Sequence, residues 1–372
     1  MNKTGRNTWK VVLIPFSWLY GLVIWIRNSL YDNGFYKSSA FNIPLISVGN
    51  ITVGGTGKTP HVEYLAELLS SEFSVATLSR GYKRKTRDFR IASADSNVRE
   101  IGDEPLQIKW RYPQVCVAVD RLRVHGVEML MKQSPPVEVI LLDDAYQHRA
   151  IKPGFSILLI DYVRPIDRDR LLPAGMLREP ASNRNRANII LVTRSPERIK
   201  AIELREYVNR LGLSIGQHLY FTTMRYGELI PVYPESPGRD AAWFKKQVGG
   251  VLIVTGIANP RPLRQFARSI NTNITELSFP DHHQYSRKDM EKISRTYDKL
   301  KKIHQEILVL TTEKDAMRLR DHKPEPEIRD MMHAVRIHVH FLNDDKEDFD
   351  RQILTYVNSN KRSSILYQGE NS

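Results

Sequence analysis

Residues 47–60, SVGNITVGGTGKTP, follow an apolar run and precede a helical pattern. A glycine-rich turn in that position aims free backbone N–H groups and the N-terminus of a helix at one point, which suits a polyphosphate. Residues 61–69 carry apolar side chains at helical spacing. The stretch therefore predicts a strand, a phosphate-binding loop and a helix, as in a nucleotide-binding α/β domain.

The loop departs from the general phosphate-loop pattern at one position, because that pattern places its first glycine where this chain has Thr52. The chemically active positions are present: Lys58 can reach the β- and γ-phosphates of ATP, and the Thr59 hydroxyl can bind Mg²⁺. A turn that merely ends a strand is the alternative, and the conjunction of strand, G-K-T and helix argues against it. The predicted ATP-binding residues are Gly54, Gly55, Thr56, Gly57, Lys58 and Thr59.

Composition narrows the class of partner. The 372 residues can form two domains, and a formal net charge of +13 predicts an anionic partner. Nucleic acid, an anionic membrane surface and a phosphorylated substrate all fit that charge. The single cysteine, Cys116, lies in an apolar run and excludes an intramolecular disulfide.

The N-terminal segment is the second strong signal. Residues 11–26 contain no charged side chain and are flanked by Lys10 and Arg27. A membrane span needs about 20 apolar residues, so this run is short, and its Trp and Tyr side chains favour the membrane interface. We expect residues 1–35 to form a membrane-associated helix with the body on the cytoplasmic side. A true span and a helix buried against the body are the alternatives.

The rest of the chain alternates strand and helix patterns. Continuous apolar runs, typical of strands covered on both faces, occur at residues 45–48, 75–78, 115–119, 137–142, 157–160 and 189–192. They predict a P-loop NTPase-like, doubly wound parallel sheet over residues 36–217. A β-hairpin linker is expected at 218–240, a second, smaller α/β domain at 241–357, and a flexible tail at 358–372.

Acidic and histidine-bearing clusters follow several of the predicted strands. Asp143 and Asp144 end a buried strand, where P-loop proteins place an acid that helps to hold Mg²⁺. A pair of solvated acids in a turn is the alternative interpretation. GDEP at 102–105 suits a helix N-terminus, and TEKD at 312–315 is either a ligand-binding strand end or a capped helix start. FPDHHQY at 279–285 lacks the spacing of a zinc site.

Taken together, these segments resemble one family, the tetraacyldisaccharide 4′-kinases of lipid A biosynthesis. The similar segments, in the family's order, are GNITVGGTGKTP at 49–60, SRGYKR at 79–84, GDEP at 102–105, DDAYQHR at 143–149, LLPAGMLREP at 171–180, GIANP at 256–260, FPDHHQY at 279–285 and TEKD at 312–315. One departure is Ala145, where the family usually has glycine.

The resemblance implies a lipid kinase that uses ATP and Mg²⁺ to phosphorylate the 4′-hydroxyl of a tetraacyldisaccharide 1-phosphate. It implies catalytic roles for Asp103 as general base, His282 as the residue that orients it, and Lys58 as the phosphate clamp. The expected Mg²⁺ ligands are Thr59 and Asp143, with Asp144 or Glu104. The expected acceptor-binding residues are Arg80, Arg178 and Glu179, and a solvated basic turn is an equal alternative for Arg80.

The same resemblance implies a peripheral or monotopic protein at the cytoplasmic face of the inner membrane, with an acylated substrate and an anionic membrane surface as partners. A membrane-peripheral P-loop ATPase or switch that acts on a partner protein is the main rival. The sequence lacks the N-K-x-D motif of a GTP switch. A nucleic-acid-binding ATPase rests on charge alone, and no nucleic acid partner is expected.

Overall fold

The computed structural model describes residues 11–369, with side chains described as far as residue 360. Within this part of the chain, twelve strands form one continuous sheet in the order β10-β9-β11-β12-β8-β7-β6-β1-β5-β2-β4-β3. In chain order the strands are β1 Leu45–Gly49, β2 Val75–Ser79, β3 Arg90–Ile91, β4 Cys116–Val119, β5 Val139–Asp143, β6 Phe155–Asp161, β7 Ile189–Thr193, β8 His218–Pro231, β9 Gly250–Thr255, β10 Ile274–Ser278, β11 Ile307–Thr312 and β12 Met332–Phe341.

Helices cover both faces of this sheet. They are α1 Ile14–Asp32, α2 Lys58–Ser70, α3 Val98–Ile101, α4 Asp103–Arg111, α5 Arg123–Met131, α6 Ala201–Leu211, α7 Ala241–Gln247, α8 Arg261–Ile270, α9 Arg287–Lys301, α10 Glu313–Leu319, α11 Pro326–Met331 and α12 Lys346–Gly369. Short 3₁₀ helices occupy Ile166–Arg168 and Ala181–Arg186.

The first half-sheet, β1 to β7, has the predicted doubly wound order. Strand β1 pairs in parallel with β5 on one side and β6 on the other. The strand order therefore reverses at β1, although these strands all run in the same direction. All six predicted apolar runs are strands, and β1, β2, β5 and β7 are buried along their whole length. Ligands of such sheets bind at the carboxyl end of the strands near this reversal. The loop after β1 lies there.

The second half-sheet, β9 to β12, joins the first through β8. The prediction of a β-hairpin at 218–240 is wrong. Residues His218–Pro231 form a single strand rather than two strands joined by a turn. Its first residues pair in parallel with β7, and the rest pair antiparallel with β12. The register shifts by one residue, so that Gly227 and Glu228 face Arg336 alone. Gly227 therefore lies in a β-bulge inside a strand.

The C-terminal helix also differs from expectation. Helix α12 continues to Gly369, so residues 358–369 are helical where a flexible tail was predicted, and residues 370–372 lie outside the described part. Its side chains Phe349, Ile353 and Val357 are buried in the core formed with β1, β2 and α2. The end of the predicted second domain thus packs on the first half-sheet. The remaining domain boundaries stay predictions.

Helix α1 contacts the body along a narrow stripe. The Ser17 hydroxyl donates to the Leu171 carbonyl at 2.9 Å, and Tyr20 donates to the Arg178 carbonyl at 2.9 Å. About two turns further on, Arg27 donates to the Gln147 carbonyl at 2.7 Å. No helix among residues 11–369 is long and apolar enough to cross a membrane. The predicted segment 1–35 begins with residues 1–10, which lie outside the described part.

Candidate active site

The loop between β1 and α2 has the shape of a phosphate cradle. Gly54 and Gly57 take left-handed φ angles of 104° and 84°, a conformation that favours glycine. A Cβ atom at Gly57 would lie 2.5 Å from Met224 Cε, the end of a flexible side chain, so the φ angle rather than this contact requires glycine there. Gly57 directly precedes α2, and so the free N–H groups of that helix point into the cradle.

Buried polar contacts hold this loop from below. The Asn50 amide donates to the Thr56 hydroxyl at 2.9 Å, and the Thr193 hydroxyl donates to the Thr56 carbonyl at 2.8 Å. Because the Thr56 side chain is fully buried, Thr56 can meet a phosphate only through its backbone. Lys58 Nζ lies 3.4 Å from Asn50 Oδ1 and 3.5 Å from Asp144 Oδ1. The lysine is therefore already oriented across the cradle.

The paired acids at the end of β5 have different surroundings. Asp143 is buried, and its Oδ1 atom has no hydrogen-bond partner. Burial, together with the charges of Glu104 and Asp144, raises the pKa of Asp143 to about 7, although Lys58 and Arg123 oppose the rise. Asp144 is partly exposed and lies 3.7 Å from Arg178 Nη1.

These acids suit a Mg²⁺ ion. An orphaned buried carboxylate oxygen beside two further carboxylates gains most from a cation at that point. Among residues 11–369 no group of three or more His, Cys, Asp or Glu side chains forms a complete metal site. Kinases commonly hold Mg²⁺ with one or two carboxylates, phosphate oxygens and water. Asp143 and the loop hydroxyl of Thr59 match that donor set.

The structure brings Asp103 and His282 together across the two half-sheets. His282 Nδ1 lies 3.2 Å from Asp103 Oδ2, and the same carboxylate accepts a hydrogen bond from Arg318. Burial raises the pKa of Asp103, but His282, Lys314 and Arg318 together lower it well below its usual range. The carboxylate is therefore ionised and accepts hydrogen bonds from Arg318 and His282.

His282 is held in a specific orientation. Its φ is 59°, a left-handed value that few residues with a side chain adopt, and its backbone N–H donates to the Gly256 carbonyl at 3.1 Å. Lys314 Nζ lies 3.3 Å from His282 Nε2 and 3.1 Å from Glu104 Oε1. Glu104, a predicted Mg²⁺ ligand, is thus ion-paired with Lys314. The neighbouring His283 instead contacts Asp289 at 3.0 Å, so the two histidines serve different groups.

The predicted acceptor residues line a cavity of about 280 Å³ between α1 and the carboxyl end of the first half-sheet. Its lining comprises Tyr20, Ile24, Arg27, Arg80, Arg123, Asp144, Gln147, His148, Arg178 and Glu179. Glu179 is fully buried, and it accepts hydrogen bonds from Arg186 and, at 2.9 Å, from the Asn183 amide. It is therefore anchored to the body, whereas Arg80 and Arg178 supply positive charge to the cavity.

Sequence reasoning missed several residues around this site. Arg318 is fully buried and contacts both Asp103 and Asp315, and Lys314 lies one helical turn before it on α10. Thr312 caps that helix by accepting a hydrogen bond from the Asp315 N–H, and the Asp315 carboxylate accepts one from the Gly256 N–H at 3.0 Å. The TEKD segment is thus both a helix start and part of the site. The available signal was Lys314 within TEKD followed four positions later by Arg318, a spacing that places both on one helix face.

A parallel sheet with a glycine-rich loop at its reversal point, faced by a lysine and paired acids, defines the class of P-loop nucleotide-binding proteins. Residues 9–358 match the family model described as LpxK, tetraacyldisaccharide-1-P 4′-kinase. The chain belongs to this family.

Individual relatives agree with that assignment. The tetraacyldisaccharide 4′-kinase of Phocaeicola vulgatus is 46% identical over 361 residues, which cover 96% of this chain and 97% of that protein. The tetraacyldisaccharide 4′-kinase of Flavobacterium johnsoniae is 42% identical over 354 residues, covering 95% and 99%. The crystal structure of LpxK from Aquifex aeolicus in complex with ATP superimposes with a TM-score of 0.72 at 29% identity, covering 94% of this chain and 99% of that one.

Proposed function

We propose that this protein transfers the γ-phosphate of ATP to the 4′-hydroxyl of a tetraacyldisaccharide 1-phosphate. One observation carries the proposal: Asp144 contacts Lys58 of the phosphate cradle through one oxygen and Arg178 of the cationic cavity through the other, at 3.5 and 3.7 Å. A nucleotide in the cradle and an anionic acceptor in the cavity would therefore meet at the paired acids. Phosphoryl transfer needs mainly such positioning and neutralisation of charge.

The residues divide the work by their positions. Lys58 and the loop N–H groups hold the β- and γ-phosphates. Thr59 and Asp143, with Asp144 and Glu104 close by, would hold Mg²⁺, which when bound neutralises charge on the phosphates. Asp103 accepts the proton of the 4′-hydroxyl while that oxygen bonds to the γ-phosphorus and the bond to the β-phosphate oxygen breaks. His282 orients the Asp103 carboxylate, and ADP leaves.

The acceptor's charge fits the cavity. Arg80 and Arg178, with Arg123 and Arg27, surround a space that α1 borders on one side. A sugar phosphate binds arginine clusters through charge-assisted hydrogen bonds. Acyl chains attached to that sugar would extend past α1 toward a membrane. This arrangement accounts for a basic cavity beside an apolar helix.

The test is transfer of label. Purified protein, Mg²⁺ and γ-labelled ATP are incubated with the disaccharide 1-phosphate, and we expect label on the sugar. The same disaccharide already phosphorylated at the 4′ position is the matched control and should remain unlabelled. ATP hydrolysis stimulated by a partner protein, without a labelled sugar, would instead favour a P-loop ATPase or switch.

Helix α1 supports attachment at the cytoplasmic face of the inner membrane. Its polar stripe faces the body, while Phe16, Trp18, Leu22 and Trp25 are each more than half exposed. An apolar face turned away from the protein, rich in tryptophan, is typical of helices that lie in the membrane interface. Arg27 and the cavity arginines on the same side would favour anionic lipids.

Weakening this face should release the protein from membranes. We expect the double variant Trp18→Gln, Trp25→Gln to bind vesicles containing anionic lipid at least about tenfold more weakly, because two large interfacial side chains are lost. Ile303→Gln, at an equally exposed apolar side chain far along the sequence, is the matched control. Vesicle co-sedimentation measures the binding, and unchanged sedimentation of the double variant would contradict membrane docking through α1.

A further inference from the structure

Three charged side chains that contact neither Lys58 nor Asp103 form a buried cluster, here called the Glu63–Arg111–Glu313 cluster. Arg111 Nη1 lies 3.0 Å from Glu63 Oε2 and 3.5 Å from Glu313 Oε2. The side chains are 1%, 6% and 2% exposed for Glu63, Arg111 and Glu313. Their charges are therefore almost completely removed from water.

The surrounding groups fix the geometry of this cluster. The Gln107 amide donates to Glu63 Oε1 at 2.8 Å, and Arg111 donates to the Ile337 carbonyl at 3.1 Å. The Ile337 N–H donates to Glu313 Oε2 at 3.3 Å, beside the bulge that faces Arg336. One guanidinium group thus joins two helices of the first half-sheet to a helix and a strand of the second.

Each of the three helices begins at the reaction site. Helix α2, which carries Glu63, starts at Lys58, and α4, which ends at Arg111, starts at Asp103. Helix α10 starts at Glu313 and carries the Lys314 and Arg318 side chains that contact Asp103. The cluster therefore connects the three helices that carry Lys58 of the phosphate cradle, the proposed base Asp103, and its basic partners Lys314 and Arg318.

Stability alone does not explain such a cluster. Buried ion pairs gain little over apolar packing of the same volume, because desolvation of the charges offsets their attraction. A branched set of hydrogen bonds instead fixes direction and distance between the elements that it joins. Burial and the Glu313 charge raise the pKa of Glu63 to about 8, although Arg111 and Arg336 lower it, and so they favour a neutral Glu63.

We propose that Arg111 is a positioning residue, which holds Glu63 and Glu313 so that Lys58 and the Asp103–His282 pair stay in register during phosphoryl transfer. This inference rests on the proposed kinase function. It does not require Arg111 to touch ATP, metal or acceptor. The cost of losing it should therefore fall on the chemical step, since misplacement of reacting groups by about 1 Å can lower rates about 100-fold.

The test compares variants of the cluster in the labelled-sugar assay. We expect Arg111→Met to lower kcat about 10- to 100-fold, with the KM values for ATP and acceptor within about twofold of the unaltered protein. Glu63→Gln, which keeps the shape of a neutral Glu63, should retain kcat within about twofold. Lys109→Met, on the same helix but outside the cluster, is the matched control and should also retain it.

A second pair of measurements separates positioning from folding. Glu313→Gln should lower kcat as Arg111→Met does, and the double variant should lose no more than either single variant, because the residues act through one contact. Circular dichroism and thermal unfolding report the fold. If Arg111→Met does not fold, Arg111→Lys and Glu313→Gln take its place.

The outcomes are distinct. A folded Arg111→Met protein with unchanged kcat, a loss confined to KM, or multiplying losses in the double variant would each overturn the positioning role. Failure of the unaltered protein to label the sugar would instead overturn the proposed function.

Discussion

Replacing Asp103 with asparagine is expected to lower kcat about 1,000-fold, because the variant cannot accept the proton of the sugar hydroxyl. The fold should survive, since Arg318 keeps its contact with Asp315 at 3.2 Å. Asparagine also preserves the size of the side chain. Steady-state kinetics with labelled ATP measure the change, and KM for ATP should change little, because Asp103 lies outside the phosphate cradle.

The surroundings of Asp103 set the conditions under which it can act as a base. Without bound phosphates, His282, Lys314 and Arg318 hold its pKa far below the usual range, which makes it a weak base. An anionic γ-phosphate near Lys314 would compete for its charge and raise the proton affinity of the carboxylate, while the buried Arg318 keeps its contact with Asp103. Nucleotide binding is thus expected to make Asp103 a stronger base. Without a bound nucleotide, Asp103 remains too weak a base to take the proton of the sugar hydroxyl.

His282 should behave as part of the same unit. We expect His282→Asn to lower kcat by a similar factor, and asparagine is chosen because it tolerates the left-handed backbone at this position. The double variant, Asp103→Asn with His282→Asn, should lose about as much as either single variant. His283→Asn, at the adjacent position, is the matched control. Independent, multiplying losses would show that Asp103 and His282 do not work together.

Local patterns were sufficient for the first half-sheet. A strand covered on both faces must be apolar along its length, so β1, β2, β5 and β7 were visible as runs. The phosphate loop was equally visible, because its glycines and lysine are contiguous. The paired acids Asp143 and Asp144 could be placed beside it, since parallel strands end at one edge of the sheet.

Contacts between distant segments were not visible. Arg318 meets Asp103 across 215 positions, and α12 packs beside β1, with Tyr356 donating to the Leu45 carbonyl at 3.2 Å. The hydrophobic periodicity of a segment predicts its own secondary structure, but it does not predict which distant segment it contacts. Strand β8 was misinterpreted as a hairpin, because its two partners, β7 and β12, come from distant parts of the sequence.

Lys58→Ala is expected to reduce turnover about 1,000-fold, close to the detection limit of the assay. Lys58 is the only described side chain that bridges Asn50 and Asp144 across the cradle, at 3.4 and 3.5 Å, so its charge is already positioned where the β- and γ-phosphates would lie. A preorganised charge at developing negative charge stabilises the transition state more than the bound substrate. The loss should therefore appear mainly in kcat, with a smaller rise in KM for ATP.

The lysine also acts on the paired acids. Its charge opposes the rise in the pKa of Asp143, so its removal should raise that pKa further and shift the Mg²⁺ activation profile to higher pH and higher Mg²⁺ concentration. Lys58→Met, which keeps most of the side chain's volume, should behave like Lys58→Ala if charge is the cause. Lys132→Ala, at an exposed lysine after α5, is the control and should leave kcat unchanged. Near-normal turnover in Lys58→Ala would refute the phosphate-clamp role, whatever the behaviour of the other site residues.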